Sequence, residues 1–141
     1  MASEIKMTKE AEEKYLDLQQ SHKHKWIVFG FSDNNKTIEL KAVGEKDATF
    51  DELRNNIIPT KANYIAYDCK YNLNNGQLRE KVLLVLYADE DNCSGTQKML
   101  GTTTFDSVIT SCPNYAKVVT INNMDLTEDN FINIVSDNRT K

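Results

Sequence analysis

The side chains that could do chemistry are few and scattered. His22 and His24 lie two residues apart, a spacing that puts both on one face of a strand, so the pair could hold a metal ion. Zinc sites use three or four protein ligands, and no third ligand accompanies this pair in the sequence. Asp68 and the acidic run at residues 89–91 could form a carboxylate or calcium site, but the run lacks the alternating spacing of an EF-hand loop and is typical of a solvated turn. The sequence therefore predicts no metal site and no cofactor.

The nucleophiles are equally isolated. The three cysteines, Cys69, Cys93 and Cys112, form no Cys-x-x-Cys pair, and their odd number predicts free thiols in a reducing compartment. The sequence contains neither a Gly-x-Ser-x-Gly motif nor a phosphate-binding loop. A non-enzymatic binding protein is favoured over the alternative, a small α/β enzyme, which should carry such a motif at the end of a strand.

Composition limits the partners. With 141 residues, 40% of them hydrophobic and 27% charged, the chain predicts one globular domain over residues 1–141. The net charge of −4 argues against nucleic acid as a partner. No apolar run is long enough to span a membrane, and the amino terminus lacks a signal-peptide profile, so we expect a cytoplasmic protein.

Two basic features could still bind an acidic partner. Arg79 and Lys81 are two residues apart on a predicted strand and therefore share a face, which in isolation is typical of a solvated surface. Lys98 and Met99 begin a later segment. They are either a surface lysine beside a core methionine, or a pair whose methionine enters an apolar cleft of a partner, and the pattern leaves both open.

The elements that must position these residues follow from periodicity. Helices are predicted over residues 8–19, after the capping box that Thr49 and Glu52 form, and from Thr127 onward. Strands are predicted at residues 26–31, 37–41, 63–70, 81–87 and 118–121. Residues 102–112 give conflicting signals, because Phe105, Val108 and Cys112 have helical spacing while the threonine run disfavours a helix.

The resulting order, α-β-β-α-β-β-α-β-α, predicts a mixed α/β fold. Its central five-stranded mixed sheet should be sandwiched by about four helices, because the strand at residues 81–87 is apolar on both faces. Residues 1–7 are predicted to be a flexible arm, and residues 136–141 a tail.

This order, at this length, resembles the actin-depolymerising factor homology domain of the ADF/cofilin family. Stretches that resemble the family occur at residues 1–3 (Met-Ala-Ser), 25–29 (Lys-Trp-Ile-Val-Phe), 64–68 (Tyr-Ile-Ala-Tyr-Asp), 78–84 (Leu-Arg-Glu-Lys-Val-Leu-Leu) and 97–100 (Gln-Lys-Met-Leu). The resemblance covers nearly the whole chain. It implies a monomeric protein of the actin cytoskeleton that binds actin monomers and filaments, severs and depolymerises the filaments, and contacts acidic phosphoinositides.

The resemblance also implies site residues. The monomer-binding residues would be Ser3, Glu4, Lys98, Met99, Thr102 and Phe105. The filament-binding residues would be Arg79, Lys81, Asp137 and Arg139. Ser3 would also be a regulatory phosphorylation site, since a phosphate there opposes docking on acidic actin.

Several residues depart from the family pattern. Phe105 and Ile109 stand where the family carries lysines, Gly101 replaces a tyrosine, and Glu4 replaces the glycine beside the serine. These changes affect the monomer site more than the filament site. The alternative is therefore a divergent member, similar to coactosin-like proteins or glia maturation factors, that binds filaments or the branch-nucleating complex without strong severing.

Overall fold

A computed structural model describes residues 5–136, which form six strands and four α-helices. The strands are β1 (Lys6–Met7), β2 (His24–Phe31), β3 (Thr37–Glu45), β4 (Asn63–Asn72), β5 (Leu78–Tyr87) and β6 (Lys117–Ile121). The helices are α1 (Lys9–Ser21), α2 (Phe50–Asn55), α3 (Gly95–Ser111) and α4 (Glu128–Ser136), with a short 3₁₀ turn at Asn123–Asp125.

One mixed sheet holds all six strands, in the order β1-β3-β2-β4-β5-β6. The outer pairs, β1 with β3 and β5 with β6, are parallel, and the inner pairs are antiparallel. The predicted mixed sheet is confirmed, but it has six strands rather than five, because residues 6–7 of the predicted flexible arm form a strand. Lys6 and Met7 pair with β3, and Met7 is buried. Two residues are too few to show a periodic pattern.

Each face of the sheet carries its own hydrophobic cluster. Helices α1 and α3 cover one face, where Tyr15 and Val108 pack beside Leu84, and α2 and α4 cover the other, where Phe131 packs beside Val85. Successive residues of β5 therefore enter opposite clusters, as its two-sided apolar pattern predicted. This arrangement fixes which face every side chain of β4 and β5 occupies.

The ambiguous segment is helical. Ser94 caps α3 by accepting a hydrogen bond from the Gln97 amide. The hydroxyls of Thr102 and Thr110 donate to carbonyls four residues earlier, so these threonines satisfy their polar groups within the helix. Burial of the apolar stripe against the sheet overrides the unfavourable propensity of the threonines.

A close approach explains Gly101. A Cβ at this position would lie 2.6 Å from the Cβ of Ala62, well inside normal contact. The backbone carbonyl of Gly101 also accepts a 2.6 Å hydrogen bond from the buried hydroxyl of Tyr64. The absence of a side chain at Gly101 therefore lets α3 lie directly on the first residues of β4.

The three cysteines are free, as predicted, and all three are buried. Burial raises the pKa of the Cys69 and Cys112 thiols to about 12, so both remain protonated near neutral pH. Protonated, buried thiols are poor nucleophiles, and these cysteines serve as core residues.

Candidate functional site

The first candidate surface lies where β5 begins. Arg79 pairs with Tyr71 and Lys81 with Cys69 across the β4–β5 ladder, so both basic residues belong to the face that α2 and α4 cover further along. Both side chains are nevertheless exposed, and neither belongs to the hydrophobic cluster on that face. We call Arg79 and Lys81 the hairpin surface.

The second candidate surface lies at the start of α3. Met99 is 69% exposed, which decides against its being a core methionine. Lys98 donates a hydrogen bond from Nζ to the Glu90 carbonyl, and its own carbonyl accepts one from the Thr102 hydroxyl. Lys98 and Thr102 also line an open cleft of about 300 Å³ beside Leu86. We call Lys98, Met99 and Thr102 the helix surface.

The two surfaces lie at opposite ends of β5. Arg79 is near its first residue, whereas the helix surface adjoins Leu86 near its last. Leu86 lies seven positions after Arg79 along the extended strand, which corresponds to about 23 Å. One rigid strand therefore holds the two surfaces too far apart for a single small ligand, but within the footprint of a protein.

Phe105 corrects the sequence-based assignment. It is 8% exposed and packs on Tyr64 with ring centroids 5.5 Å apart, inside the cluster that α1 and α3 cover. Its side chain is not available to a partner. The helical spacing of Phe105 with Val108 and Cys112 predicts a buried stripe, and all three residues are buried. The family resemblance, which implied that Phe105 binds actin monomers, does not agree with this burial.

Met124 was missed by the sequence analysis. It is 85% exposed in the 3₁₀ turn after β6, just beyond Asn122, which lines the same cleft as Lys98. A lone methionine in a turn carries no periodic signal, so only the structure shows that a second exposed thioether lies near the helix surface.

Four predicted site residues, Ser3, Glu4, Asp137 and Arg139, lie outside the described residues. Within residues 5–136, no helix combines the length and the apolar character that crossing a bilayer requires.

Asp68 lies on β4, within the strand predicted at residues 63–70, and is 1% exposed. Its Oδ2 lies 2.8 Å from Nδ1 of His22. Burial raises the pKa of the Asp68 carboxyl above its ordinary value, and the contact with His22 works against that rise. Glu80 of β5 completes the group, with Oε2 3.6 Å from the same His22 nitrogen.

Comparison with known proteins places this geometry in a family. Residues 4–136 match the family model of the cofilin/tropomyosin-type actin-binding protein. The chain is 32% identical to actophorin of Entamoeba histolytica over 96 residues, which are 68% of each chain.

Solved structures share the fold. The crystal structure of Streptomyces griseoflavus cofilin superposes with a TM-score of 0.82 at 19% identity, covering 94% of this chain and 97% of that one. The human coactosin-like protein gives a TM-score of 0.78 at 19% identity, covering 100% of this chain and 94% of that one. At 19% identity, these superpositions show a shared fold and nothing about function.

The match over residues 4–136, on an actin-depolymerising factor homology fold, defines the class: an actin-binding module. The chain belongs to the ADF/cofilin family of actin-binding proteins, whose members act by binding rather than by catalysis.

Proposed function

We propose that this protein binds both monomeric and filamentous actin and promotes severing and depolymerisation of filaments. The observation that carries the proposal is the placement of the hairpin surface and the helix surface at opposite ends of β5, both exposed. When a rigid protein contacts actin at two separated points, its affinity depends on the relative position of the actin subunits. Tighter binding to one filament geometry than to another would shift the population toward it without any cofactor.

The hairpin surface is tested by charge removal. We expect Arg79→Ala with Lys81→Ala to weaken filament binding about tenfold, measured by co-sedimentation, because two cations facing acidic actin are lost. The free energy of unfolding should change by less than about 1 kcal/mol, since both side chains are exposed.

A matched control removes two other lysines. Lys36→Ala with Lys46→Ala changes the net charge equally, but both residues are exposed beside the ends of β3, three sheet positions from β5. If this control weakens co-sedimentation as much as the hairpin double variant does, the effect is one of net charge and the hairpin surface is not a binding site.

A second function is supported by the composition of α3. Lys98 is its single lysine, so the helix offers an actin monomer little positive charge. This favours filament binding without strong severing, of the coactosin-like kind, or action on the branch-nucleating complex. Imaging of single labelled filaments distinguishes the functions: our primary proposal requires breaks along filaments at protein concentrations that saturate co-sedimentation.

We also propose Ser3 as a regulatory phosphorylation site. Ser3→Asp is expected to weaken binding of ADP-actin monomers several-fold in a fluorescence titration, since added negative charge opposes docking on an acidic surface. Glu4→Gly should act in the opposite direction. Co-sedimentation with filaments should change less, and equal dissociation constants for Ser3→Asp and the unmodified chain would remove Ser3 from the monomer site.

Actin as partner also leads us to propose a cytoplasmic location on the actin cytoskeleton and a monomeric state in the absence of actin. Acidic phosphoinositides are proposed to contact the exposed Lys23 and the neighbouring Lys25.

A further inference from the structure

Three side chains from distant parts of the chain converge at the base of the β4–β5 hairpin. His22 follows α1, Asp68 lies on β4 and Glu80 on β5. One ligating atom of each lies within 4.8 Å of the other two. We call His22, Asp68 and Glu80 the carboxylate–histidine cluster.

One residue of this cluster carries an unpartnered atom. The side chain of Asp68 is only 1% exposed, and its Oδ1 oxygen has no hydrogen-bond partner among residues 5–136. Buried carboxylate oxygens are almost always satisfied, so such an orphan points to a bound ion or water. The single contact with His22 uses only the other oxygen.

The backbone holds all three residues in place. His22 terminates α1 in the left-handed conformation (φ 52°), with its amide bonded to the Leu18 carbonyl. Asp68 pairs with Val82, and Lys70 with Glu80, so both carboxylates lie on the α1 face of the same ladder. An open cleft of about 270 Å³, lined by His22 and Glu80, leads to the cluster from solvent.

We propose that the carboxylate–histidine cluster is a binding site for a divalent transition-metal ion, with Zn²⁺ as the reference ion. One imidazole nitrogen and two carboxylate oxygens are ligands that Zn²⁺ accepts, whereas Mg²⁺ and Ca²⁺ prefer oxygen alone. Zinc bonds of about 2.0–2.2 Å place tetrahedral ligands about 3.4 Å apart, so the cluster needs only small side-chain adjustments. Water would complete the coordination.

Lys70 competes for this site. Its Nζ lies 3.5 Å from Oε2 of Glu80, the oxygen that faces His22. An ion that binds Glu80 must displace this contact. Because Glu80 lies between Arg79 and Lys81, the bound ion would also fix the base of the strand that carries the hairpin surface.

Calorimetric titration of the metal-free full chain with ZnCl₂ tests the site. We expect one Zn²⁺ per chain, with binding at least about tenfold weaker in Glu80→Gln and Asp68→Asn. His24→Gln is the matched control, a histidine outside the cluster, and should bind as the unmodified chain does. Titration with MgCl₂ should give no binding at the same concentrations.

A gain of affinity provides a test that misfolding cannot imitate. Lys70→Met removes the competing cation and should tighten Zn²⁺ binding about threefold to fivefold. Thermal unfolding without metal confirms that each variant folds; if Asp68→Asn does not, the partly exposed Glu80 decides the outcome.

Three results would overturn the proposal. They are Glu80→Gln binding Zn²⁺ as tightly as the unmodified chain, Mg²⁺ binding as tightly as Zn²⁺, and no effect of Lys70→Met. Substitution with Co²⁺ adds a fourth: a strong near-ultraviolet thiolate band would show that a cysteine, not the cluster, holds the ion.

Discussion

Phe131→Ala should lower the free energy of unfolding by about 3–5 kcal/mol, the range typical of truncating a buried phenylalanine. Phe131 is fully buried and forms edge-to-face contacts with Phe50 and Tyr67, at centroid distances of 5.2 and 5.3 Å. The two aromatic contacts add to the loss of buried area. Since Phe131 packs α4 onto α2 and the sheet, the helix should also loosen.

Urea unfolding of Phe131→Ala beside Asn133→Ala measures this effect. Asn133 is exposed on the same helix, so its substitution should change the free energy of unfolding by less than about 0.5 kcal/mol. A loss under 1 kcal/mol in Phe131→Ala would mean that α4 contributes little to the core on that face.

Gly101→Ala is expected to reduce the free energy of unfolding by about 1–3 kcal/mol, although alanine favours a helix over glycine by about 1 kcal/mol. The new Cβ would lie 2.6 Å from the Cβ of Ala62, and overpacking of this kind costs about 1–3 kcal/mol. Moving α3 away would also weaken the buried hydrogen bond from Tyr64 to the Gly101 carbonyl, worth about a further 1 kcal/mol.

Gly95→Ala supplies the control for this second prediction. Gly95 belongs to the same helix, but a Cβ there meets nothing within 4 Å. Its substitution should therefore be neutral or stabilising in the same urea experiment. If Gly101→Ala were as stable as Gly95→Ala, α3 could shift on the sheet without cost, and the position of the helix surface would not be fixed by this contact.

The sequence by itself determined the elements whose cause is local. The capping box at Thr49 begins α2 as predicted, with the Glu52 amide donating to the Thr49 hydroxyl. The apolar run of β5 specified a strand buried on both faces. The exposure of Arg79 and Lys81 also followed from their positions in a polar stretch before that run. Hydrogen bonds and side-chain periods within one segment suffice for such features.

Only the tertiary structure decided features that depend on distant segments. The strand at Lys6–Met7 exists because β3 offers an edge, and α3 is helical because the sheet buries its apolar stripe. Phe105 is a core residue because Tyr64 lies against it. No local pattern encodes these pairings, because the free energy comes from burial between segments far apart in the chain.

The carboxylate–histidine cluster is the clearest example of a feature that depends on the tertiary structure rather than on local sequence. In the sequence, His22 has only His24 as a neighbouring candidate ligand, and Asp68 lies in a predicted strand with no histidine near it. In the fold, antiparallel pairing of β4 and β5 places Asp68 and Glu80 on one face of the sheet. His22, at the end of α1, lies beside them. The sequence supplies the residue types, but strand register and helix docking bring the side chains together. His22 and Asp68, which are in contact, lie 46 residues apart in the chain.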